Sequence, residues 1–151
     1  MKGIGAFVLV LLTALGIATF VVTRPRSGQL DAEGRAWVAH FSAWRVGVAR
    51  RVVRAQEEIV VSRGQRLSAR LTEPLHGCAA SLARYGEPPS LLASVAEHAN
   101  TACGEIDYAL SVYARYGTPA LATTGQHLHR AEQLLTEADT ELHRRLGTKG
   151  S

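Results

Sequence analysis

The sequence predicts an all-α protein, in which a single N-terminal transmembrane helix precedes an antiparallel bundle of about four helices built from αα-hairpins. An uncharged apolar stretch occupies residues 4–22, and Ala and Leu dominate the remainder of the chain. In that remainder, apolar residues recur at spacings of three and four, the period of an amphipathic helix. The chain has 151 residues, so it leaves room after the apolar stretch for one small domain and not for two.

The apolar stretch is long enough to cross a membrane. A helix of this length covers about 28 Å, close to the thickness of the hydrocarbon core of a bilayer. We predict an uncleaved anchor over residues 1–23. A cleavable signal peptide is the alternative, with Gly16-Ile17-Ala18 as a passable processing site.

The charges that flank this stretch are nearly balanced and do not settle its orientation. Lys2 precedes the stretch, whereas Arg24, Arg26 and Arg35 follow it. A short positive start before an apolar core is typical of export signals, so we expect a single-pass protein of a bacterial cell membrane with its C-terminal domain outside the cytoplasm. Cleavage of the signal would instead release a secreted domain.

Residues 24–29 contain Pro25 and Gly28 and are predicted to form a short tether. The helical domain is expected over residues 30–146, followed by a disordered tail over residues 147–151. The first helix of the domain carries one long apolar stripe and ends near Ser62-Arg63-Gly64. The stripe comprises Trp37, Phe41, Trp44, Val48, Val52, Ala55 and Ile59.

Three further stripes predict the other helices. In the second, Pro74 is expected to cause a kink or to open a new helix. The fourth shows a strict spacing of seven. Their members are Leu67, Leu71, Leu75, Cys78, Leu82 and Tyr85; then Leu92, Val95, Ala99, Ala102, Ile106 and Tyr113; then Leu121, Leu128, Leu135 and Leu142.

The corners before the third and fourth helices repeat. The segment 83–88 reads Ala-Arg-Tyr-Gly-Glu-Pro, and 31 residues later the segment 114–119 reads Ala-Arg-Tyr-Gly-Thr-Pro. A glycine just past a helix end adopts the left-handed conformation that caps it, and a proline soon afterwards cannot continue the helix. We therefore predict one αα-hairpin corner used twice, with Ser90 or Thr118 capping the next helix.

Cys78 and Cys103 fall on the inward stripes of the second and third helices. They flank the first of the two corners, so a disulfide across the hairpin is predicted in an oxidising compartment. The alternative is a pair of buried free thiols that pack as small apolar side chains.

The first helix also carries a second apolar face. Val46, Val53 and Val60 lie almost opposite the buried stripe, with Arg50 and Arg54 among them. Scattered surface valines need no explanation, but these residues also predict an interaction face and weak self-association. Ten arginines against four acidic residues give residues 24–70 a net charge of +6, whereas six basic and nine acidic residues give residues 71–151 a net charge of −3.

No catalytic motif and no cofactor-binding motif stands out, so enzymatic activity is not expected. Nucleic-acid binding is not expected either, because both tryptophans lie on the inward stripe. His98 and His129 occupy equivalent positions in the repeated hairpins and are weak candidates for metal ligands. We therefore expect a structural or protein-interaction module with an envelope protein, or a second copy, as its partner. A ligand- or metal-binding sensor bundle is the alternative.

Overall fold

A computed structural model of the chain describes residues 30–147. The predicted anchor and tether, and all but the first residue of the predicted tail, lie outside this range. Within it the protein consists of helices joined by turns, with no β-strand, which confirms the all-α prediction. No helix in this range is both long enough and apolar enough to cross a bilayer.

The first helix, α1, spans Ala32–Val61. Asp31 precedes it, and its carboxylate accepts a hydrogen bond of 2.7 Å from the backbone N–H of Gly34. This bond satisfies one of the free N–H groups of the first turn. The helix ends before Arg63 and Gly64, which both adopt positive φ angles. All seven residues of the predicted stripe are buried.

The second predicted stripe does not form one continuous helix. The chain forms two short helices instead, α2 at Ala69–Thr72 and α3 at Cys78–Ala83, with a 3-10 turn at Glu73–Leu75 between them. Pro74 stands at the start of this turn, and Gly77 follows it with a φ of 71°. A proline that donates no backbone N–H and a left-handed residue together interrupt the helix, as the sequence predicted at Pro74.

The stripe of this interrupted segment is only partly buried. Leu67, Leu75, Cys78 and Leu82 are buried and Leu71 is half-buried. Tyr85 is 37% exposed, which corrects its predicted place in the core. Its ring instead stacks on the ring of His40 with the centroids 5.0 Å apart, because α3 ends before Tyr85 and the corner turns it outward.

Two long helices complete the domain: α4 spans Ala93–Tyr116 and α5 spans Leu121–Leu146. The corners before them contain Gly86 and Gly117 at positive φ, as predicted. Gly117 nevertheless departs from the predicted left-handed helical conformation, because its ψ angle is −142°. The predicted side-chain caps are wrong, since neither Ser90 nor Thr118 caps a helix. Each long helix is entered through a 3-10 turn, Ser90–Leu92 or Thr118–Ala120, whose backbone hydrogen bonds take the place of a cap.

The bundle consists of α1, α4, α5 and the segment 62–92. We call this segment the interrupted wall, because it takes the place of a fourth long helix. Interhelical contacts show that α5 runs antiparallel to both α1 and α4. The ion pair between Arg45 and Asp139 and the hydrogen bond between Gln56 and Glu132 join α1 to α5. Trp44 donates a hydrogen bond of 2.8 Å from its indole N–H to Ser81, which joins α1 to the interrupted wall.

The core lies between these walls and is formed from the predicted stripes. Its largest fully buried aliphatic and aromatic side chains are Phe41, Val52, Leu75, Leu92, Val95, Ile106, Leu121, Leu128 and Leu135. The rings of Trp37 and Phe41 stack with their centroids 5.0 Å apart. Close packing of this kind makes the core sensitive to loss of volume.

We predict that Phe41→Ala lowers the free energy of unfolding by about 3–5 kcal/mol, because it removes a fully buried ring and leaves a cavity. Urea denaturation followed by circular dichroism measures this change. Val46→Ala is the control, and its effect should stay within about 0.5 kcal/mol since Val46 is on the surface. Equal losses in the two variants would contradict this account of the core.

Candidate functional site

The strongest candidate site is the α1 outer face, which we define as Val46, Arg50, Val53, Arg54 and Val60. Val46 is 44% exposed and Val60 is 75% exposed, so both project into solvent. Val53 is half-buried, which corrects the expectation that all three valines are solvent-exposed. Val61, directly after Val60, is 83% exposed and extends the apolar surface.

The two arginines of this face form no ion pair within residues 30–147. Other arginines of the same range are paired: Arg45 with Asp139 at 2.9 Å, and Arg144 with Glu141 at 2.6 Å. Arg50 and Arg54 make neither ion pairs nor hydrogen bonds there, although both are exposed. An exposed apolar surface beside unpaired guanidinium groups is typical of an interaction surface.

A pocket of about 520 Å³ adjoins this face, where the chain turns back after α1 and begins α2. Glu58 in its wall is already engaged, because it accepts a hydrogen bond of 2.7 Å from the backbone N–H of Ser68 and lies 3.5 Å from Arg66. The pocket is lined by Arg54, Glu57, Glu58, Val61, Ser68, Arg70 and Leu71.

Sequence reasoning missed this pocket because it lies between two helices, and the period of each helix does not show how one packs beside the other. The available signal was the predicted turn at residues 62–64. A turn that tight returns the chain towards the last turns of α1, but it does not fix the direction of return, so the position of Arg70 relative to Arg54 does not follow from it.

A second cleft, of about 560 Å³, lies at the opposite end of the bundle. It is formed where the start of α1 meets the first corner, and Gly34 permits this approach: a Cβ atom added there would lie 3.2 Å from Cγ of Pro89. Its walls combine Asp31, Glu33 and Glu87 with Arg84 and His40. This mixture of charges favours no single class of ligand.

Cys78 and Cys103 lie at disulfide-bonding distance, as the sequence predicted, with their Cα atoms 5.3 Å apart. Both are buried, and the bond ties the interrupted wall to the middle of α4. Cys78 stands at the start of the short helix α3, and residues 84–89 continue from α3 without helix, which lets the chain return to Cys103 on α4. The pair stabilises the scaffold behind the α1 outer face.

His98 and His129 share no partner. The Nδ1–H of His98 donates to the carbonyl of Ser94 at 2.7 Å, whereas His129 lies beside Glu132 on its own helix. No group of three or more His, Cys, Asp or Glu side chains suited to a metal occurs among residues 30–147. The histidines therefore form no joint site in this part of the chain.

A different histidine pairs across the same two helices. The Nδ1–H of His127 donates to a carboxylate oxygen of Glu105 at 2.6 Å, and the Tyr108 ring packs 4.4 Å from the imidazole ring. Sequence reasoning missed this contact because only the antiparallel register of α4 and α5 reveals it. Both tryptophans are buried, as the argument against nucleic-acid binding assumed.

Glu141 anchors the end of α5. Its carboxylate accepts hydrogen bonds from Arg144, from Arg145 and from the hydroxyl of Ser94 at the start of α4. The bond from Arg144 is the largest cause that lowers the pKa of Glu141 to about 2, followed by the bond from Arg145. The carboxylate is therefore ionised throughout the physiological range.

We predict that reducing the disulfide lowers the free energy of unfolding by about 3 kcal/mol, because it releases a loop of 25 residues in the unfolded chain. Urea denaturation with and without dithiothreitol measures the change. A variant with both Cys78→Ala and Cys103→Ala is the control and should not respond to the reductant. Two alkylatable thiols in the unreduced native protein would contradict the disulfide.

We predict that the Glu141 carboxyl titrates with a pKa of about 2 and that Arg144→Gln moves this pKa upward, towards its ordinary value of 4.5. Because the pKa is lowered in the folded state, the stabilising contribution is complete above about pH 4.5 and is lost as the pH falls towards 2. Carboxyl carbon NMR measures the titration. An unchanged pKa in the variant would contradict the assigned cause.

Comparison with known proteins assigns no family to the chain. No protein-family model matches it, and neither a curated protein nor a solved structure matches it. The α1 outer face and its pocket are therefore the features from which a function can be proposed.

Proposed function

We propose that this chain is a membrane-anchored, extracytoplasmic interaction module that binds an acidic partner protein of the cell envelope through the α1 outer face. The observation that carries the proposal is that Arg50 and Arg54, which form no ion pair among residues 30–147, lie between exposed valines on one long helix. We propose no enzymatic activity and no cofactor.

The rigidity of α1 supports this proposal. The opposite side of the helix is buried from Trp37 to Ile59. Trp44 is also hydrogen-bonded to Ser81 of the interrupted wall. A surface that is already ordered loses little conformational entropy when a partner binds. The α1 outer face therefore needs no rearrangement to act as a docking surface.

The charge of the face favours an acidic partner over a second copy of the chain. In a two-fold symmetric pair, each residue of the face meets the same face of the other copy, so Arg50 and Arg54 would meet like charges. Like charges that face each other across an interface oppose association. A partner with carboxylates opposite the arginines and apolar side chains opposite the valines satisfies both components.

The membrane attachment rests on the apolar stretch of residues 4–22, which ends shortly before the domain begins. An extended tether over residues 24–29 reaches about 20 Å, so the domain would stay near the membrane surface. There it could engage a partner that is itself held in the envelope.

We predict that a photo-crosslinking residue at Val46 of the full-length chain captures one envelope protein in cells. Arg50→Glu with Arg54→Glu should reduce this adduct about tenfold or more, because close charge pairs across an interface contribute more than 1.4 kcal/mol each. Immunoblotting of membrane fractions, with mass spectrometry of the adduct, measures the effect.

Two controls test whether the adduct is specific to the α1 outer face and to its charges. The same residue at Thr101, on the exposed side of α4, should give no adduct, and Arg130→Glu, which reverses a charge on α5, should leave the Val46 adduct intact. An adduct insensitive to the charge reversals would contradict the proposal. An adduct made of two copies of the chain would replace the acidic partner with self-association.

A further inference from the structure

We infer that the pocket between α1 and α2 binds a carboxylate side chain of an acidic peptide segment, which the guanidinium groups of Arg54 and Arg70 hold from two walls. This inference rests on the proposed function and identifies the chemistry of the partner at one end of the α1 outer face. Arg54 belongs both to that face and to the pocket.

The two arginines of the pocket are free to bind an added carboxylate. Neither Arg54 nor Arg70 makes an ion pair or a hydrogen bond within residues 30–147. Of the two carboxylates in the lining, Glu58 is engaged by the Ser68 backbone and by Arg66. Glu57 is exposed and is the only lining carboxylate of this range that has no partner. A guanidinium group donates two parallel hydrogen bonds to a carboxylate, so Arg54 and Arg70 suit this ligand.

The apolar residues of the pocket lining indicate which side chains should flank the bound carboxylate in the partner. Val61 is 83% exposed at the rim and Leu71 is half-buried in the wall. An aliphatic side chain beside the bound carboxylate would cover Val61 and remove apolar surface from water. The volume of about 520 Å³ accommodates a segment of a few residues rather than a single small ion. The occupant is therefore an acidic residue flanked by aliphatic ones.

The pocket walls are already fixed to one another. The Ser62 hydroxyl donates to the carbonyl of Arg66 at 3.0 Å, which closes the turn between α1 and α2. The hydroxyl of Tyr113 on α4 donates to the carbonyl of Leu67 at 2.8 Å, just before α2. With the bond from Ser68 to Glu58, these contacts hold the start of α2, which carries Arg70, beside the end of α1 without a ligand, so binding requires little ordering of the backbone.

The test uses the full-length chain in nanodiscs of neutral lipid. The probe is a fluorescein-labelled peptide of seven residues with a central Glu between two Leu residues, and the comparison peptide has Gln in place of Glu. Fluorescence anisotropy measures both dissociation constants. The Glu peptide should bind at least about tenfold more tightly, the ratio expected when one charge-assisted hydrogen-bonded pair is lost.

Pocket variants then assign the binding to its residues. Arg54→Gln and Arg70→Gln should each weaken binding about tenfold, and Arg54→Lys should weaken it less because the positive charge is kept. Glu57→Gln should strengthen binding about twofold to threefold, since it removes the competing carboxylate. Arg84→Gln is the matched control: it removes an arginine at the far end of the bundle that forms no ion pair or hydrogen bond among residues 30–147, and it should leave binding unchanged.

Circular dichroism of each variant checks that the fold is retained. Equal affinity for the Glu and Gln peptides, or an equal loss in Arg70→Gln and Arg84→Gln, would overturn the inference. Binding of anionic vesicles that is lost in Arg54→Gln and Arg70→Gln, with no binding of the Glu peptide, would overturn it in favour of a lipid surface.

Failure of this inference is distinguishable from failure of the proposed function. A charge-dependent Val46 adduct that Arg70→Gln leaves intact, together with no peptide binding, would remove the pocket and leave the α1 outer face. Peptide binding that depends on Arg54 and Arg70, together with a charge-insensitive adduct, would remove the face and leave the pocket.

Discussion

Burial of a single stripe on α1 is the constraint on which the rest of the structure depends. Seven apolar residues at spacings of four and three pass through the core, and three of them are aromatic. Once these side chains face inward, the period of the helix determines which residues must face outward. The exposure of Arg50, Arg54 and Val60 is therefore a geometric consequence of burying Trp37, Phe41 and their neighbours.

Much of the fold was predictable because its long helices have strong periodic patterns. The bounds of α1, the seven-residue spacing along α5 and the two glycine corners all follow from local rules of side-chain period and backbone conformation. The interrupted wall was harder, because a proline and a left-handed glycine three residues apart override an otherwise regular stripe. The side-chain caps failed for a related reason, since the 3-10 turns at Ser90–Leu92 and Thr118–Ala120 supply backbone hydrogen bonds instead.

One part of the candidate site could be predicted from the sequence and the other part could not. The α1 outer face could be read from the sequence, because it lies on one helix and follows one period. Val53 departs from that reading because α1 has neighbouring walls on two sides, so residues at the edge of the outer face become half-buried. The pocket could not be read, because Arg54 and Arg70 are brought together by a turn whose direction depends on the hydrogen bonds of Ser62, Ser68 and Tyr113. Periodicity specifies faces, whereas tertiary contacts specify pockets.

The continuity of α1 has a mechanical consequence for the proposed function. Its thirty residues form one helix about 45 Å long, which begins near the first described residue and carries the proposed docking face towards its other end. A pull between the partner and the membrane would be transmitted along this helix alone, parallel to its axis. Because both points of attachment would lie on α1, the other helices would bear none of this load, and their packing against the buried stripe of α1 would oppose its unwinding. Under the proposed function, the rest of the bundle would therefore keep α1 helical and would not itself carry force.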